Sequence, residues 1–560
     1  MRYFLRAARV VLCLPLLAIF SLASAYNARP RLIVIVVIDQ FRGDYLERYR
    51  DQFGEGGFRL FLDHGSNFTD CDYAYANTRT APGHATLLTG AYTSGHGIIA
   101  NEWWDPQKKR VVTSVQDDDR KLVGISSTAP GASPHNLMAD TLGDEIKLAT
   151  AGKAHVFGVA LKDRASVLPA GFSADAAYWI DQKSGLWITS TYYRDQLPKW
   201  VQDFNDSGRA KKYLNRDWTG ADGQTIRSTT PPPGSESSFY QLAGSTPFAN
   251  DYEFEFAREL ITYEHLGNHE ATDLLIVSLS ANDILGHQVG PDSPEMRAMT
   301  LATDRQLSDF FTFLAHQIGL ANVWIALSAD HGIAPLPSAA SALRIPAANL
   351  SSEKWRQQLN QSLTTRFSPS RPAEYIKSFD YPIAWLNDEA FAASKIRQED
   401  AERATGEMMK QMGMRGYFTR SQLARGDRGS TEFEARYANS YSPLGGWYVM
   451  GVPAPFTVGV EQGTDHASPY SYDTHVPLLL YGLPFQAGTY RTHAEPVDLA
   501  ITLASLLGIN RPTHATGRVL TEALASRHIE RPSSPAGVKS PLPHDELKPV
   551  RAVVVGSVQQ

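Results

Sequence analysis

The stretch RLIVIVVID, residues 31–39, decides the fold: it is a nearly unbroken run of aliphatic and β-branched residues that ends in an acid. Such a run is typical of a strand buried on both faces, as in parallel sheets covered by helices. Similar runs precede Lys162, Asp283 and Asp330. The further runs are 156–161, 273–280, 323–328 and 476–481.

Segments with helical patterns, such as 136–150 and 294–318, lie between these runs. The alternation predicts an α/β fold with a mainly parallel, doubly wound central sheet and helices on both faces. In such sheets the functional site lies beyond the carboxyl ends of the strands. Polar side chains that follow one strand after another are therefore candidates for a single shared site.

The composition is that of a globular protein of 560 residues with a net charge of −6 and no basic stripe interleaved with aromatic residues. This argues against a general nucleic-acid-binding protein. Of the two cysteines, Cys13 lies in the N-terminal segment, which leaves Cys71 without a partner. An internal disulfide and a zinc site built from several cysteines are therefore excluded.

The N-terminus has the features of a secretory signal peptide, residues 1–25. Arginines at positions 2, 6 and 9 precede an apolar stretch at 10–20 and the small residues Ala23-Ser24-Ala25. We expect cleavage before Tyr26, a periplasmic or secreted protein, and no membrane association after the signal is removed. An uncleaved N-terminal anchor is the alternative.

Residues 26–525 are predicted to form one catalytic domain with two interruptions. An irregular excursion is expected at about 172–250, which is rich in Trp, Tyr, Ser and Pro. An inserted subdomain is expected at about 335–460, with a strand at 381–386 and a charged helix near 397–412. Residues 526–560 read as an extended tail rich in Pro and Ser.

Thr80 stands in TRTAPGHATLLTG, residues 78–90, where Pro82 and Gly83 mark a turn before a helix expected to begin at Ala85. A hydroxyl at such a junction lies over a helix N-terminus, which favours anions. We predict that Thr80 is a nucleophile and that Asn101 helps to hold the group it attacks. The plain alternative is a helix cap.

Acidic and imidazole side chains follow several of the predicted strands. Asp283 and His287 are four residues apart, so one helical turn places both on the same side. Each such residue alone is compatible with a cap, a turn or an ordinary hydrogen bond. Together they predict a metal site of oxygen and nitrogen ligands, which suits Zn²⁺ and, less well, Mn²⁺. The other candidates are Asp39, Asp330, His331 and His466.

Seven motifs occur in order across residues 31–510. They are VVIDQFRGDY (36–45), TRTAPGHATLLTG (78–90), HGIIANEWWD (96–105), LKDRASVLPAG (161–171), SANDILGHQVGPDS (280–293), SADHG (328–332) and HASPYSYDTHVPLLLYG (466–482). In this combination the sequence resembles the alkaline phosphatase superfamily, and most closely its PafA-type, phosphate-irrepressible members. Single matches such as DH or GH would be weak signals.

The resemblance implies an alkaline-phosphatase-like fold and a phosphomonoesterase with two Zn²⁺ ions. It implies one zinc site at Asp283, His287 and His466 and the other at Asp39, Asp330 and His331. Thr80 would contact the metal and form a phosphothreonine intermediate. Asn101, Lys162 and Arg164 would hold the phosphoryl oxygens. His475 competes with His466 as a ligand, but it directly precedes a buried strand, which favours a structural role.

Charge favours small-molecule phosphate monoesters as substrates, because Lys162 and Arg164 add two cations that match a phosphate dianion. If LKDRA is extended, residues 162 and 164 point to one side and Asp163 to the other. The alternative is that Lys162, Asp163 and Arg164 are solvated charged residues on the surface. The sequence identifies neither the physiological ester nor the oligomeric state.

Other activities fit the sequence less well. A phosphodiesterase or nucleotide pyrophosphatase of the same superfamily would share the ligands and the threonine but would not need both cations. A sulfatase would require a C/S-x-P-x-R motif, which Thr80-Ala81-Pro82-Gly83-His84 lacks. A phosphoglycerate mutase would be cytosolic. A catalytically dead, exported metal- or phosphate-binding protein is the non-enzymatic alternative.

Overall fold

A sheet of eleven strands runs through the residues that the computed structural model describes, which are 29–220, 222–235, 237–368, 373–426 and 429–525. The predicted signal peptide and the predicted tail at 526–560 lie outside them. The strands of the described residues are β1 (Leu32–Ile38), β2 (Ser66–Phe68), β3 (Glu102–Asp105), β4 (Arg110–Thr113), β5 (Gln116–Val123), β6 (Pro130–Ala132), β7 (Val156–Ala160), β8 (Ala176–Ile180), β9 (Trp187–Ser190), β10 (Asp217–Thr219), β11 (Thr225–Ser228), β12 (Asp273–Leu279), β13 (Val323–Ser328), β14 (Ala348–Asn349), β15 (Ile376–Asp380), β16 (Ile383–Leu386), β17 (Gly416–Thr419), β18 (Tyr448–Val452), β19 (Thr457–Val458), β20 (Leu478–Tyr481) and β21 (Gly488–Tyr490). The large sheet has the order β21-β2-β20-β13-β1-β12-β7-β8-β9-β5-β6.

Strand β1 lies between β12 and β13 and is parallel to both, with Leu32 opposite Asp273 and Val323. Every residue of these three strands is buried, which explains their continuous apolar sequences. Strands β7 and β8 extend the parallel group beyond β12. The predicted α/β fold with a parallel centre is therefore confirmed. The outer strands make the whole sheet mixed, because β20 and β9 pair antiparallel with β13 and β8.

Helices surround the sheet, and those at Pro247–Tyr263 and Asp163–Ala170 pack against β12 and β7. No helix among the described residues has both the length and the apolar character needed to cross a membrane. The α-helices are Tyr45–Arg48, Phe58–His64, Thr80–Thr89, Thr93–His96, Leu142–Ala149, Asp163–Ala170, Lys199–Asp206, Phe239–Ala243, Pro247–Tyr263, Ala281–Val289, Pro294–Gln317, Pro337–Ala342, Ser352–Phe367, Asp388–Ala393, Gln398–Gln411, Arg420–Ala424, Glu432–Asn439, Ser471–Thr474 and Asp498–Leu507.

The two predicted interruptions differ in structure. Strands β8 and β9 fall inside 172–250 yet belong to the central sheet, so the irregular stretch begins only after Ser190. Within 335–460, four strands form a separate antiparallel sheet in the order β15-β16-β18-β17. A cluster of buried residues that includes Trp355, Leu359 and Met409 packs beside it. The division of the chain into a domain with an inserted subdomain stays a prediction.

Gly158 offers a test of the packing between β7 and the helix Asp163–Ala170. A Cβ atom at this position would lie 2.3 Å from the carbonyl oxygen of Ser166. We expect Gly158→Ala to lower the free energy of unfolding by about 1–3 kcal/mol, because the helix must move away from the strand. Urea denaturation followed by circular dichroism measures the change.

The matched control is Gly416→Ala in β17, where the nearest atom to an added Cβ is a side-chain carbon of Val452 at 3.4 Å. This substitution should change stability far less. Equal effects of the two substitutions would contradict the close approach at Gly158.

Candidate active site

Three neighbouring strands deliver acidic residues to one edge of the sheet. Asp39 follows β1, Asp283 lies in the helix that follows β12, and Asp330 follows β13. Because the three strands are adjacent and parallel, their carboxyl ends meet at this edge. Asp39 and Asp330 are fully buried and Asp283 is 5% exposed. Buried carboxylates at such close quarters require cationic partners.

The first predicted ligand set, Asp39, Asp330 and His331, has its ligand atoms within 4.8 Å of one another. The Nε2 atom of His331 lies 3.6 Å from Asp39 Oδ1 and 3.5 Å from Asp330 Oδ2. These three buried atoms have no hydrogen-bond partner among the described residues. Buried polar atoms are almost always paired, so this convergence fits a bound cation. Two carboxylates and an imidazole suit Zn²⁺.

The second predicted set is looser. His287 Nε2 and His466 Nε2 lie 3.1 Å and 4.0 Å from Asp283 Oδ1. His466 belongs to two groups of residues whose ligand atoms all lie within 4.8 Å of one another. One group is Asp283, His331 and His466, and the other is His287, Asp465 and His466. His475, the competing candidate, belongs to none of these groups, and its Nε2 lies 3.1 Å from the carbonyl oxygen of Thr69.

All three imidazoles are oriented in the same way. In each ring Nδ1 lies within hydrogen-bond distance of a backbone carbonyl oxygen, which leaves Nε2 for the centre of the site. This arrangement fixes the tautomer and orientation of histidines that bind metals. The pairs are His287 with Thr464 at 2.9 Å, His331 with Gly332 at 2.9 Å, and His466 with Thr78 at 2.6 Å.

The electrostatics of the site also favour cation binding. Burial lowers the pKa of His331 and His466, which keeps these imidazoles neutral and able to bind a metal. Burial and the charges of Asp283 and Asp330 raise the pKa of Asp39. Lys162 Nζ donates to Asp39 Oδ2 and Asp283 Oδ2, both at 2.6 Å, and so links the two ligand sets.

Thr80 is 1% exposed and is the first residue of the helix Thr80–Thr89, so the predicted helix start at Ala85 is wrong. Proline is tolerated in the first turn, because its missing N–H would have no helical partner there. Gly83 allows close packing, since an added Cβ would lie 2.3 Å from the carbonyl oxygen of Asp330. His84 Nδ1 hydrogen-bonds to the carbonyl oxygen of Thr80 at 2.9 Å and lies 3.2 Å from Asp330 Oδ2. The start of this helix therefore adjoins the first ligand set.

Asn101 and Arg164, the two other predicted phosphoryl-binding residues, are held differently. Asn101 Oδ1 accepts a hydrogen bond from the Ala81 N–H at 2.8 Å, which orients the amide against the helix that begins with Thr80. The LKDRA segment does not meet the condition of being extended, because Lys162 directly precedes a helix and Arg164 lies in its first turn. The Nε atom of Arg164 is buried without a hydrogen-bond partner among the described residues.

Sequence reasoning missed two residues that contact the predicted ligands. Gln40 donates from its backbone N–H to Asp330 Oδ1 at 3.0 Å and from its amide to Asp283 Oδ1 at 2.6 Å. Its φ of 65° is rare for a residue other than glycine, and such backbones cluster at functional sites. No local pattern marks Gln40. Asp465 could have been found only by its position next to His466.

Comparisons with known proteins identify the family to which this chain is related. The profile of the family described as type I phosphodiesterase / nucleotide pyrophosphatase matches residues 33–405. Alkaline phosphatase PafA of Elizabethkingia meningoseptica is 32% identical over 522 residues, 89% of this chain and 95% of that protein. Alkaline phosphatase PhoV of Synechococcus elongatus is 33% identical over 541 residues, 89% of this chain and 93% of that protein.

A Myroides odoratus protein named calcium-transporting ATPase is 32% identical over 530 residues, 90% of this chain and 96% of that protein. A crystal structure of alkaline phosphatase PafA matches with a TM-score of 0.81 and 30% identity, covering 89% of this chain and 99% of that chain. The resemblance inferred from the motifs is therefore confirmed.

The unpaired ligand atoms predict that zinc stabilises the folded protein. Adding Zn²⁺ to metal-stripped protein should raise the melting midpoint, because binding at about 100 times Kd stabilises by about 2.7 kcal/mol. We expect His466→Ala to reduce this shift and His475→Ala to preserve it. Thermal melting followed by circular dichroism measures the midpoints. A full shift in His466→Ala together with a reduced one in His475→Ala would reverse the ligand assignment.

Proposed function

This chain belongs to the type I phosphodiesterase / nucleotide pyrophosphatase family, within the alkaline phosphatase superfamily, and we propose that it is an exported, zinc-dependent enzyme that uses Thr80 as its nucleophile. It is an alkaline phosphatase, a hydrolase of phosphate monoesters. We propose two zinc ions, small-molecule phosphate monoesters as substrates, and a periplasmic or secreted location after cleavage of residues 1–25.

The convergence of Asp39, Asp330 and His331 beside the start of the Thr80 helix carries this proposal. One zinc ion would be held by these three residues and the other by Asp283, His287 and His466. Zinc held there would supply Lewis acidity, which lowers the pKa of a hydroxyl group or water and offsets charge on phosphoryl oxygens.

In the proposed reaction, the Thr80 hydroxyl oxygen attacks phosphorus, the bond to the leaving-group oxygen breaks, and the hydroxyl proton passes through solvent to the leaving group, which departs as an alcohol. Water then attacks the phosphothreonine, the bond from phosphorus to Thr80 breaks, a proton from that water returns to the Thr80 oxygen, and inorganic phosphate leaves. Two in-line displacements give net retention of configuration at phosphorus. The fully buried helix start keeps the hydroxyl in place and limits the access of bulk water.

Three side chains of the site support binding of a phosphoryl dianion. Asn101 Oδ1 is occupied by the Ala81 N–H, so its amide hydrogens are available as donors. Arg164 brings a guanidinium group that is 24% exposed. Lys162 is held by two carboxylates, so its charge first balances the ligand sets. Its predicted contact with a phosphoryl oxygen requires bound cations to balance the negative charges of those carboxylates in its place.

Hydrolysis of phosphodiesters is the second candidate, because the matching family is described by that activity. A diester carries one negative charge fewer on its phosphoryl oxygens and needs fewer cationic donors. The presence of both Lys162 and Arg164 at the site favours monoesters.

Thr80→Ala tests the nucleophile. We expect monoester turnover to fall by about 10³-fold or more while zinc content stays unchanged, because the attacking oxygen is lost and the ligand sets remain. Thr80→Ser is the matched control, since it keeps the hydroxyl and should retain substantial activity. Steady-state assays with an aryl phosphate and metal analysis give both quantities. An active Thr80→Ala variant would discard the assignment.

Arg164→Ala tests the substrate class without removing a contact to the ligand carboxylates. We expect aryl phosphate hydrolysis to fall by about 10- to 100-fold, the worth of a charge-assisted hydrogen bond, with a smaller loss for an aryl diester. The control is Arg209→Ala, which removes a similarly exposed arginine that pairs with Glu259 away from the site. Equal losses on monoester, diester and sulfate ester substrates would count against a monoesterase site.

A further inference from the structure

Glu253 is a fully buried acid that takes no part in the proposed reaction. It lies in the helix Pro247–Tyr263, which packs against β12 and β7. Its Oε1 accepts a hydrogen bond from the Leu161 N–H at 2.8 Å. Leu161 directly follows β7 and directly precedes Lys162. Glu253 therefore contacts the chain one residue before the first of the two predicted phosphoryl-binding cations.

The Leu161 N–H lies at the end of a sheet strand. Strand β7 pairs with β12 up to Ala160, which lies opposite Ser278. Leu161 is 1% exposed and comes just beyond this pair. A buried N–H group at such a position must find an acceptor inside the protein. The carboxyl group of Glu253 provides one and so ties the end of β7 to the neighbouring helix.

The helix Asp163–Ala170 begins without the usual side-chain cap. Its N-cap residue is Lys162, whose ammonium group carries no acceptor and instead donates to two carboxylates of the site. Arg164 lies in the first turn of this helix. Movement of the chain at Leu161 would therefore displace both cations.

The surroundings of Glu253 favour a hydrogen-bonding role over an ionic one. Burial raises the pKa of its carboxyl group well above the ordinary value, although the Leu161 N–H and the charge of Lys162 oppose this. Its Oε2 atom is buried without a hydrogen-bond partner among the described residues. The Lys162 ammonium group pairs instead with Asp39 and Asp283. The contact between Glu253 and the backbone of Leu161 is thus the feature to be tested.

We infer that Glu253 is a positioning residue for Lys162 and Arg164, because its hydrogen bond to the Leu161 N–H fixes the strand-to-helix turn that carries both cations. This inference rests on the proposed function, in which the two cations hold phosphoryl oxygens. Small displacements of charged groups at a reacting centre lower turnover strongly, so a contact outside the site can govern the rate.

The test compares two substitutions of similar size. Glu253→Gln keeps an oxygen that can accept from the Leu161 N–H, whereas Glu253→Met fills the space without an acceptor. We expect Glu253→Met to lower kcat/KM about 10-fold for an aryl phosphate and less than about threefold for an aryl diester, which needs fewer cationic donors. Glu253→Gln should retain at least about half of both values. Steady-state kinetics on the purified chain gives these numbers, and metal analysis checks that zinc content is unchanged.

The matched control is Glu402→Met in the region 335–460. Glu402 is also fully buried in a helix and also accepts from a backbone N–H, that of Ser421 at 2.9 Å. Its replacement should lower the melting midpoint but keep the monoester-to-diester ratio of kcat/KM within about twofold of that of the unchanged protein. A general loss of stability is thereby separated from a loss of cation placement.

A second measurement asks whether Glu253 acts through Arg164. Added to Arg164→Ala, Glu253→Met should lower monoester kcat/KM by a smaller factor than in the unchanged protein, since part of its effect is already lost. Equal factors in both backgrounds, equal losses in Glu253→Gln and Glu253→Met, or an unchanged monoester-to-diester ratio in Glu253→Met would overturn the inference. If Glu253→Met does not fold, Glu253→Leu takes its place in every comparison.

The outcomes also distinguish this inference from the proposed function. If the unchanged protein hydrolyses the diester as fast as the monoester, or if Arg164→Ala does not change their ratio, the proposed monoester site fails. If Arg164→Ala lowers the ratio and Glu253→Met leaves it unaltered, only the role of Glu253 fails.

Discussion

The structure depends on the parallel pairing of β1 with β12 and β13, because this pairing forces three carboxylates together at one edge of the sheet. Asp39, Asp283 and Asp330 are buried there, where charges are poorly screened. Lys162 offsets part of this charge through contacts of 2.6 Å to Asp39 and Asp283. The rest calls for cations, and the uniformly oriented imidazoles complete two cation sites. Fold stability and metal binding are thus coupled at this edge.

The region at 335–460 holds the segment that precedes Thr80. Arg79, which directly precedes Thr80, is buried and forms an ion pair of 2.9 Å with Asp380, and its guanidinium also donates to the Tyr381 carbonyl oxygen. Burial raises the pKa of Asp380 to about 6 even though Arg79 opposes this. Ser440 Oγ accepts from the Ala76 N–H at 2.7 Å. The segment before Thr80 is therefore fixed between the two sheets, which positions the threonine at the start of its helix.

Local sequence predicted the central strands well because full burial leaves a distinct signature. Strands β1 and β13 end within a residue of their predicted limits, and a helix predicted at 294–318 occupies Pro294–Gln317. Predictions failed where a local signal had two meanings. Pro82 and Gly83 read as a turn, but proline fits the first turn of a helix and Gly83 serves close packing against Asp330. Lys162 and Arg164 would point to one side only if their segment were extended, yet a helix begins between them.

By itself, the sequence determined the strand cores, the acids and histidines that follow them, and the motifs of the family, because these depend on neighbouring residues and on chemistry carried by single side chains. Only the tertiary structure decided which of these residues meet. Gln40 lies 290 positions from Asp330 yet contacts it, and His466 turns its Nε2 inward because its Nδ1 is held by the Thr78 carbonyl group. The position of Asp465 between two imidazoles has the same origin. Such contacts follow from strand order and loop closure over long separations, which no local pattern encodes.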